Sequence, residues 1–250
     1  MKKVNLLSIA ISTGSYRDFV TNIINSAGSC NSNYTCVANV HMLVEAHSDE
    51  SFATLVRNAH FITPDGKPLS WALRLLYGIK QDRVAGMDLL PDLLAEASKA
   101  GMPVFFYGGT TEVLEKTELY LKENFPDVPV AGLYSPPFRE LTKEEDERVI
   151  EHINTSGARL VFVILGCPKQ EKWIASMQGR INAMMVAVGG ALPVLVGMQK
   201  RAPRWMQGAG LEWLFRLIQE PKRLMKRYLV TNSTFVYLLF KEYFRLKLTK

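Results

Sequence analysis

The stretch that decides the fold is 103-PVFFYGGTTEVLEKTELYLKEN-124. Its first five residues are continuously apolar, which is typical of a strand buried on both faces of a parallel sheet. A turn of two glycines and two threonines follows, and the pattern then changes to that of a helix over Glu112–Asn124. A strand, a tight turn and a helix together form the repeating unit of an α/β fold.

The same unit recurs along the chain. After residue 124 the sequence predicts further elements over Val128–Leu133, Lys143–Ser156, Leu160–Leu165, a helix from Glu171, and Ala183–Val188. Before residue 103 it predicts strands over Val4–Ile11, Thr35–Val40 and Phe61–Thr63, and helices over Tyr16–Ala27, His41–His47, Ser51–Asn58, Pro68–Tyr77 and Asp88–Ala100. Apolar strands alternating with amphipathic helices predict a Rossmann-like α/β fold, with a parallel sheet flanked by helices.

The basic charge is concentrated at the C-terminus. Residues 200–250 contain twelve Lys/Arg and three Asp/Glu, whereas residues 1–199 contain eighteen and twenty-one. The regular alternation of strands and helices also ends near Met198, so we expect an α/β core over residues 1–198 and a basic helical appendage over residues 199–250. Leu211–Leu229 is amphipathic, and Pro221 is expected to begin a new helix within it.

The partner of such a basic, aromatic-rich segment should be anionic. An anionic membrane surface fits the pattern, and so does a helical pair that packs on the core and leaves its basic face in water. Nucleic acid is not expected as a partner, because no nucleic-acid-binding motif accompanies the charge. No apolar run reaches the length of a membrane span, and the three cysteines suggest reduced thiols, so we expect a cytoplasmic protein.

Polar or glycine-rich turns follow five of the predicted strands. These turns contain Asn39, Thr63–Gly66, Gly108–Thr111, Gly166–Gln170 and Gly189-Gly190. Ligands of open parallel sheets bind beyond the carboxyl ends of the strands, so these turns are the candidate site. Glycines in such turns let the backbone approach a phosphate, although a Gly-Gly turn is often only a matter of geometry.

Asp65 is the candidate catalytic carboxylate. It lies directly after a strand in the turn Thr63-Pro64-Asp65-Gly66, where it is suited to act as a general base or, alternatively, only to cap the turn. The chain contains no Asp-x-Asp pair to hold a metal ion on a diphosphate. Neither a metal nor a cofactor is therefore expected, and arginines would neutralise a diphosphate leaving group. The appendage contains candidates at Arg201, Arg204, Arg216, Arg223 and Arg227.

Several long motifs resemble those of the WecG/TagA/CpsF glycosyltransferases. They are Thr63–Gly66, Arg83–Asp88, Leu165–Trp173, Lys200–Trp205, Gly210–Trp213 and Arg216–Arg223, and they occur in the same order over nearly the whole chain. The resemblance implies an inverting transferase that takes a sugar from a UDP-sugar. Members move N-acetylmannosamine onto undecaprenyl-diphosphate-linked N-acetylglucosamine, or build capsule and exopolysaccharide units, at the inner face of the bacterial plasma membrane.

The resemblance also implies roles for individual residues. Asp65 would be the base, with Asn39, Arg83 and Gln170 in the donor pocket beside the glycines at positions 108, 109, 189 and 190. The appendage would close over the site and bring Arg216, Arg223 and Arg227 to the diphosphates. A homo-oligomer is also compatible with these features.

Two positions depart from the family pattern. Val37 replaces a Thr, and Pro193 stands where an Asp is expected. The loss of a carboxylate and a backbone N–H at position 193 puts the identity of the sugar in question more than the type of reaction. The same departures favour an alternative hypothesis, a catalytically degenerate binding module of the same fold at the membrane.

Overall fold

The computed structural model describes residues 1–248, so the last two residues of the predicted appendage lie outside the described part. These described residues form eight strands: β1 Lys2–Leu6, β2 Ile9–Thr13, β3 Asn33–Ala38, β4 Phe61–Pro64, β5 Val104–Gly108, β6 Val130–Tyr134, β7 Leu160–Ile164 and β8 Met184–Ala187. The core helices are α1 Tyr16–Gly28, α2 Val40–Ser48, α3 Glu50–Asn58, α4 Lys67–Tyr77, α5 Gly86–Lys99, α6 Thr111–Asn124, α7 Lys143–Thr155, α8 Lys169–Ser176 and α9 Ala191–Leu195. The C-terminal helices are α10 Arg204–Gly208, α11 Glu212–Gln219 and α12 Pro221–Leu248.

Six strands form one sheet in the order β4-β3-β8-β7-β5-β6, and every neighbouring pair is parallel. Strands β5, β7 and β8 are buried along their whole length, as continuous apolar runs predict for a parallel sheet covered on both faces. One apolar cluster joins the sheet to α2, α3, α4, α7 and α8, and a second joins it to α1, α5, α6 and α9. The prediction of an α/β sheet flanked by helices is confirmed.

The N-terminal segment differs from the prediction. The single strand expected over Val4–Ile11 is wrong, because the chain turns at Leu7 and forms the antiparallel hairpin of β1 and β2. Leu7 has a φ of 56°, a left-handed conformation that the sequence did not signal. The hairpin packs beside β4, where the Ser12 hydroxyl accepts a hydrogen bond from the Ile62 N–H at 3.1 Å. The hairpin therefore protects the edge of the sheet.

The C-terminal helices pack onto the core. Helix α12 begins at Pro221 as predicted. The helix is interrupted at Glu220, which divides the amphipathic segment into α11 and α12. Leu224, Phe235 and Leu238 of α12 are buried, and the helix contacts α2 and α4. Among the described residues, no helix is both long and apolar enough to cross a membrane.

Candidate active site

The sheet order brings three of the predicted turns together. Because β3 lies between β4 and β8, the residues after these strands, Asn39, Asp65 and Gly189, meet at the carboxyl end of the sheet. The backbone N–H of Asp65 donates to the Ala38 carbonyl at 2.7 Å, and that of Gly189 donates to Val163 at 3.1 Å. These bonds continue the sheet into the turns, so the turns are held by the core.

Two further hydrogen bonds attach the turn of Asp65 to the segment before α5. Thr63 donates its hydroxyl hydrogen to the carbonyl of Val84 at 3.1 Å. The Val84 N–H in turn donates to the Pro64 carbonyl at 2.9 Å. Arg83 is consequently fixed next to Asp65, although the two residues belong to motifs that are separate in the sequence.

The environment of Asp65 makes its carboxyl group a weaker acid than an ordinary aspartic acid. Burial and the neighbouring carboxylate of Glu212 raise the pKa of Asp65 from 3.8 to about 7, and the positive charges of Arg83 and Arg216 only partly oppose this rise. A carboxylate with a pKa near the working pH is well suited to accept a proton from a substrate hydroxyl.

Arg83 is the centre of an ion-pair network that connects the core to the appendage. One of its Nη atoms lies 2.6 Å from Asp88, and the other contacts Glu212 at the start of α11. Asp88 also pairs with Arg201. Only 12% of the Arg83 side chain is exposed. Two carboxylates therefore already satisfy Arg83, which supports the site and holds α11 in place.

Arg216 lies over the turn that follows β8. A methyl group at Gly190 would come within 2.9 Å of an Nη atom of Arg216, so a glycine at this position gives the guanidinium its place. Arg216 and Glu212 also line a cavity of about 340 Å³. The remaining lining residues come from α5, α9, the segment before α10 and the end of α11, and include Met87, Val194, Met198, Gln199, Lys200 and Gln219.

Gln170 is enclosed between the turns after β7 and β8. Its Oε1 accepts from the Gly166 N–H at 3.1 Å, and its Nε2 donates to Glu171 at 2.8 Å. A Cβ atom at Gly189 would lie 3.0 Å from this Oε1. The structure thus brings together three positions that the sequence predicted for the site.

Two of the predicted positions have evident structural roles. Asn39 uses its Oδ1 to accept from the Met42 N–H at 3.1 Å, so its side chain caps α2. Gly108 has a φ of 104°, and a Cβ there would lie 2.6 Å from the carbonyl oxygen of Ile164. The Gly109 N–H donates to the same oxygen at 2.9 Å, so the Gly108-Gly109 turn allows β5 and β7 to approach closely.

The two remaining arginines lie on α12. Arg223 is exposed and paired with Glu220, its Nε 3.1 Å from a carboxylate oxygen. Arg227 is close to His41 at the start of α2, where burial and the charge of Arg227 lower the His41 pKa.

Tyr228 is a site residue that sequence reasoning missed. Burial raises the pKa of its hydroxyl, and three arginines of the appendage oppose that rise. The charged groups that act on it are Arg216, Arg227, Arg223 and Asp65. The sequence showed Tyr228 only as one apolar position of an amphipathic helix, so no local signal distinguished it.

The two departures from the family pattern occupy packed positions. Val37 is 6% exposed, and its Cγ1 lies 3.6 Å from where a Cβ of Gly86 would be. The carbonyl of Pro193 accepts hydrogen bonds from Met198 at 2.9 Å and Gln199 at 3.0 Å. Pro193 therefore shapes one wall of the cavity through its backbone.

A comparison with known protein families identifies the family of the chain. The model of the WecG/TagA/CpsF family of glycosyl transferases matches residues 4–249. The chain therefore belongs to this family, and its substrates are a sugar donor and an acceptor.

Proposed function

We propose that this member of the WecG/TagA/CpsF family transfers a hexosyl residue, N-acetylmannosamine or a related sugar, from a UDP-sugar to an undecaprenyl-diphosphate-linked acceptor. The reaction would supply cell-surface polysaccharide synthesis, such as cell wall, capsule or exopolysaccharide. The observation that carries the proposal is the placement of Asp65 at the carboxyl edge of the sheet, with a pKa of about 7 and with Arg216 from the appendage nearby.

In this mechanism Asp65 accepts the proton of the acceptor hydroxyl while the hydroxyl oxygen attacks the anomeric carbon. The bond from that carbon to the diphosphate oxygen breaks, and UDP leaves with the electron pair. One displacement with no covalent enzyme intermediate inverts the configuration of the anomeric carbon. A single well-held carboxylate is sufficient for this step.

Arginines take the place of a metal ion in the proposal. Arg216 lies over Gly190 in the turn after β8, and Arg227 is close to His41 at the start of α2. Guanidinium groups bind phosphate oxygens in pairs and stabilise the charge that develops on a leaving diphosphate. The absence of an Asp-x-Asp pair from the sequence is in keeping with a metal-independent reaction.

The outer face of α12 supports a peripheral position on an anionic membrane. A row of exposed apolar side chains runs along the helix: Met225, Leu229, Val236, Tyr237, Phe240, Phe244 and Leu248. Lys222, Lys226 and Lys241 are also exposed on the same helix. An amphipathic helix with apolar and basic residues exposed binds at the headgroup boundary of an anionic bilayer.

The decisive assay measures product formed from a panel of UDP-sugars and a short-chain isoprenoid-diphosphate acceptor, with and without chelator. We expect one UDP-sugar to be used and chelator to have no effect. Asp65→Asn should lower kcat by about 100-fold or more, because it removes the base. Asp127→Asn, the same change in an exposed turn at the opposite edge of the sheet, is the control. Full activity of the Asp65 variant would remove that residue from the role.

The same assay separates the enzyme from its alternative. A degenerate binding module, the hypothesis that Val37 and Pro193 favour, would release no UDP with any donor in the panel. It would still bind membranes through α12. Product formation with any single donor excludes the degenerate module.

Membrane binding is tested separately with vesicles. Replacing Phe240 and Phe244 by Ser should weaken sedimentation with phosphatidylglycerol vesicles at least tenfold, because each buried aromatic ring contributes about 1.5–3 kcal/mol. Leu119→Ser, an equally exposed apolar position on α6, is the matched control. Equal binding of both variants would place the membrane surface elsewhere.

A further inference from the structure

Glu171 is a buried carboxyl group to which the proposed mechanism gives no role. It lies in the first turn of α8 and is only 1% exposed. Burial raises its pKa, which favours the neutral carboxylic acid. Its Oε1 accepts from Gln170, and among the described residues its Oε2 has no nitrogen or oxygen partner. The Cys167 thiol also interacts with this carboxyl. A buried acid next to a candidate binding residue requires a reason.

The contacts of Gln170 fix the direction of its amide group. A backbone N–H can only donate, so the Gly166 N–H, 3.1 Å away, requires the oxygen of the amide on its side. The NH₂ group must then lie on the other side, where Glu171 accepts one of its two hydrogens at 2.8 Å. Rotation by half a turn would set two donors against each other at Gly166.

The oxygen of the Gln170 amide has a second close neighbour, Gly189. Gly189 has a φ of 45° and no side chain, and a Cβ there would lie 3.0 Å from the Gln170 oxygen. The amide is thus held by Gly166, Gly189 and Glu171, at the joint edge of β7 and β8. One Nε2 hydrogen is left over after these contacts.

We propose that Glu171 is a positioning residue that locks the Gln170 amide in one orientation, so that the remaining Nε2 hydrogen is presented to the sugar-nucleotide donor. The inference rests on the proposed function, which puts the donor diphosphate at Arg216. Gln170 contacts Gly189, and Arg216 lies against the next residue, Gly190. Glu171 itself touches neither substrate. Its buried carboxyl acts only through its neighbour.

The test is a double-mutant cycle on the full chain, with donor KM and kcat measured at saturating acceptor. Glu171→Met preserves the volume of the side chain but removes the acceptor for Nε2. We expect it to raise donor KM about tenfold, the effect of one misplaced hydrogen bond, while acceptor KM stays unchanged. Glu171→Gln retains a carbonyl oxygen for the same bond and should rescue donor KM to within about twofold of the original value.

The cycle decides whether Glu171 acts through Gln170. In a Gln170→Ala background, Glu171→Met should have no further effect on donor KM. Additive effects would overturn the inference, and so would a Glu171→Met variant that loses thermal stability but keeps its donor KM. If the Met variant does not fold, Glu171→Asp takes its place in the cycle. The shorter side chain moves the carboxylate oxygen away from the Gln170 Nε2 by the length of one methylene group.

Failure of the inference is distinguishable from failure of the proposed function. If Gln170→Ala itself leaves donor KM unchanged while turnover persists, Gln170 is not a donor contact and the inference falls, but the transferase assignment stands. If no donor gives turnover with the original chain, the proposed function falls. In that case, unchanged binding of immobilised UDP-sugar by Gln170→Ala would overturn the inference as well.

Discussion

Replacing Asp65 by Asn should make the substrate-free protein more stable at neutral pH, although it lowers kcat by about 100-fold or more. The native state holds the proton of Asp65 more tightly than the unfolded chain does, because burial and Glu212 raise its pKa to about 7. Ionisation of Asp65 therefore costs stability as the pH rises from the unfolded to the folded pKa. An Asn side chain mimics the protonated form and does not incur that cost.

The size of the stability difference follows from the shift in the pKa of Asp65. A rise from 3.8 to about 7 is roughly three pKa units, which corresponds to about 4 kcal/mol at 1.4 kcal/mol per unit. Asp65 is partly exposed, and solvent screening reduces this figure, so we expect roughly 2 kcal/mol above pH 7. Below about pH 4 the two proteins should be equally stable, because Asp65 is then protonated in both the folded and the unfolded state.

The assay is urea unfolding of both proteins at several pH values between 4 and 8. The difference in unfolding free energy between the Asn variant and the original chain should grow through this interval and level off above pH 7. Titrating groups far from Asp65 cancel in the difference. The raised pKa of Asp65 would be refuted by a difference in unfolding free energy that is the same at pH 4 and pH 8. A less stable Asn variant at pH 8 would refute it as well.

Three further predictions concern neighbouring groups. Glu212→Gln removes a negative charge near Asp65 and should move the acidic limb of the kcat/KM profile to lower pH by about half a unit or more. Gly190→Ala places a methyl group against Arg216 and should raise donor KM about tenfold in steady-state assays. Phe235→Ala should lower the unfolding free energy by about 3 kcal/mol in urea, because this ring joins α12 to the core.

Matched controls accompany these variants. Glu118→Gln removes an exposed carboxylate on α6 and should leave the pH profile unmoved. Gly208→Ala adds a methyl group where, beyond the adjoining residues and the backbone of its own helix, no atom of the described chain lies within 4 Å, so donor KM should stay constant. Val236→Ala truncates an exposed neighbour of Phe235 and should change stability by less than about 0.5 kcal/mol. A control that behaves like its partner variant would show that the effect is not specific to the named contact.

Most of the fold could be predicted from hydrophobic patterning. Several elements, among them α6, α7, β5 and β7, lie within two residues of their predicted limits. The apolar residues of each follow a clear helix or strand pattern, and turn residues mark its ends. The hairpin of β1 and β2 was missed because Leu7 adopts a left-handed conformation without a glycine. The expected end of β3 at Val40 was two residues late, since Asn39 already caps α2.

The candidate site was predictable in its location but not in its contacts. Strand ends identified the turns of Asp65 and Gly189, because parallel strands always present their carboxyl ends at one edge. The pairing of Arg83 with Glu212 joins residues 129 positions apart, and no local pattern signals such a contact. Tyr228 was missed for the same reason, since only folding brings α12 back over the core.

Helix α11 joins two parts of the proposed mechanism in one element. The same eight-residue helix carries Glu212, which makes Asp65 more basic, and Arg216, which in that mechanism would receive the departing negative charge. A displacement of α11 would therefore weaken proton acceptance and leaving-group stabilisation in one event. In that mechanism, stray water would meet a site without either aid, and the activated sugar would be spared from hydrolysis.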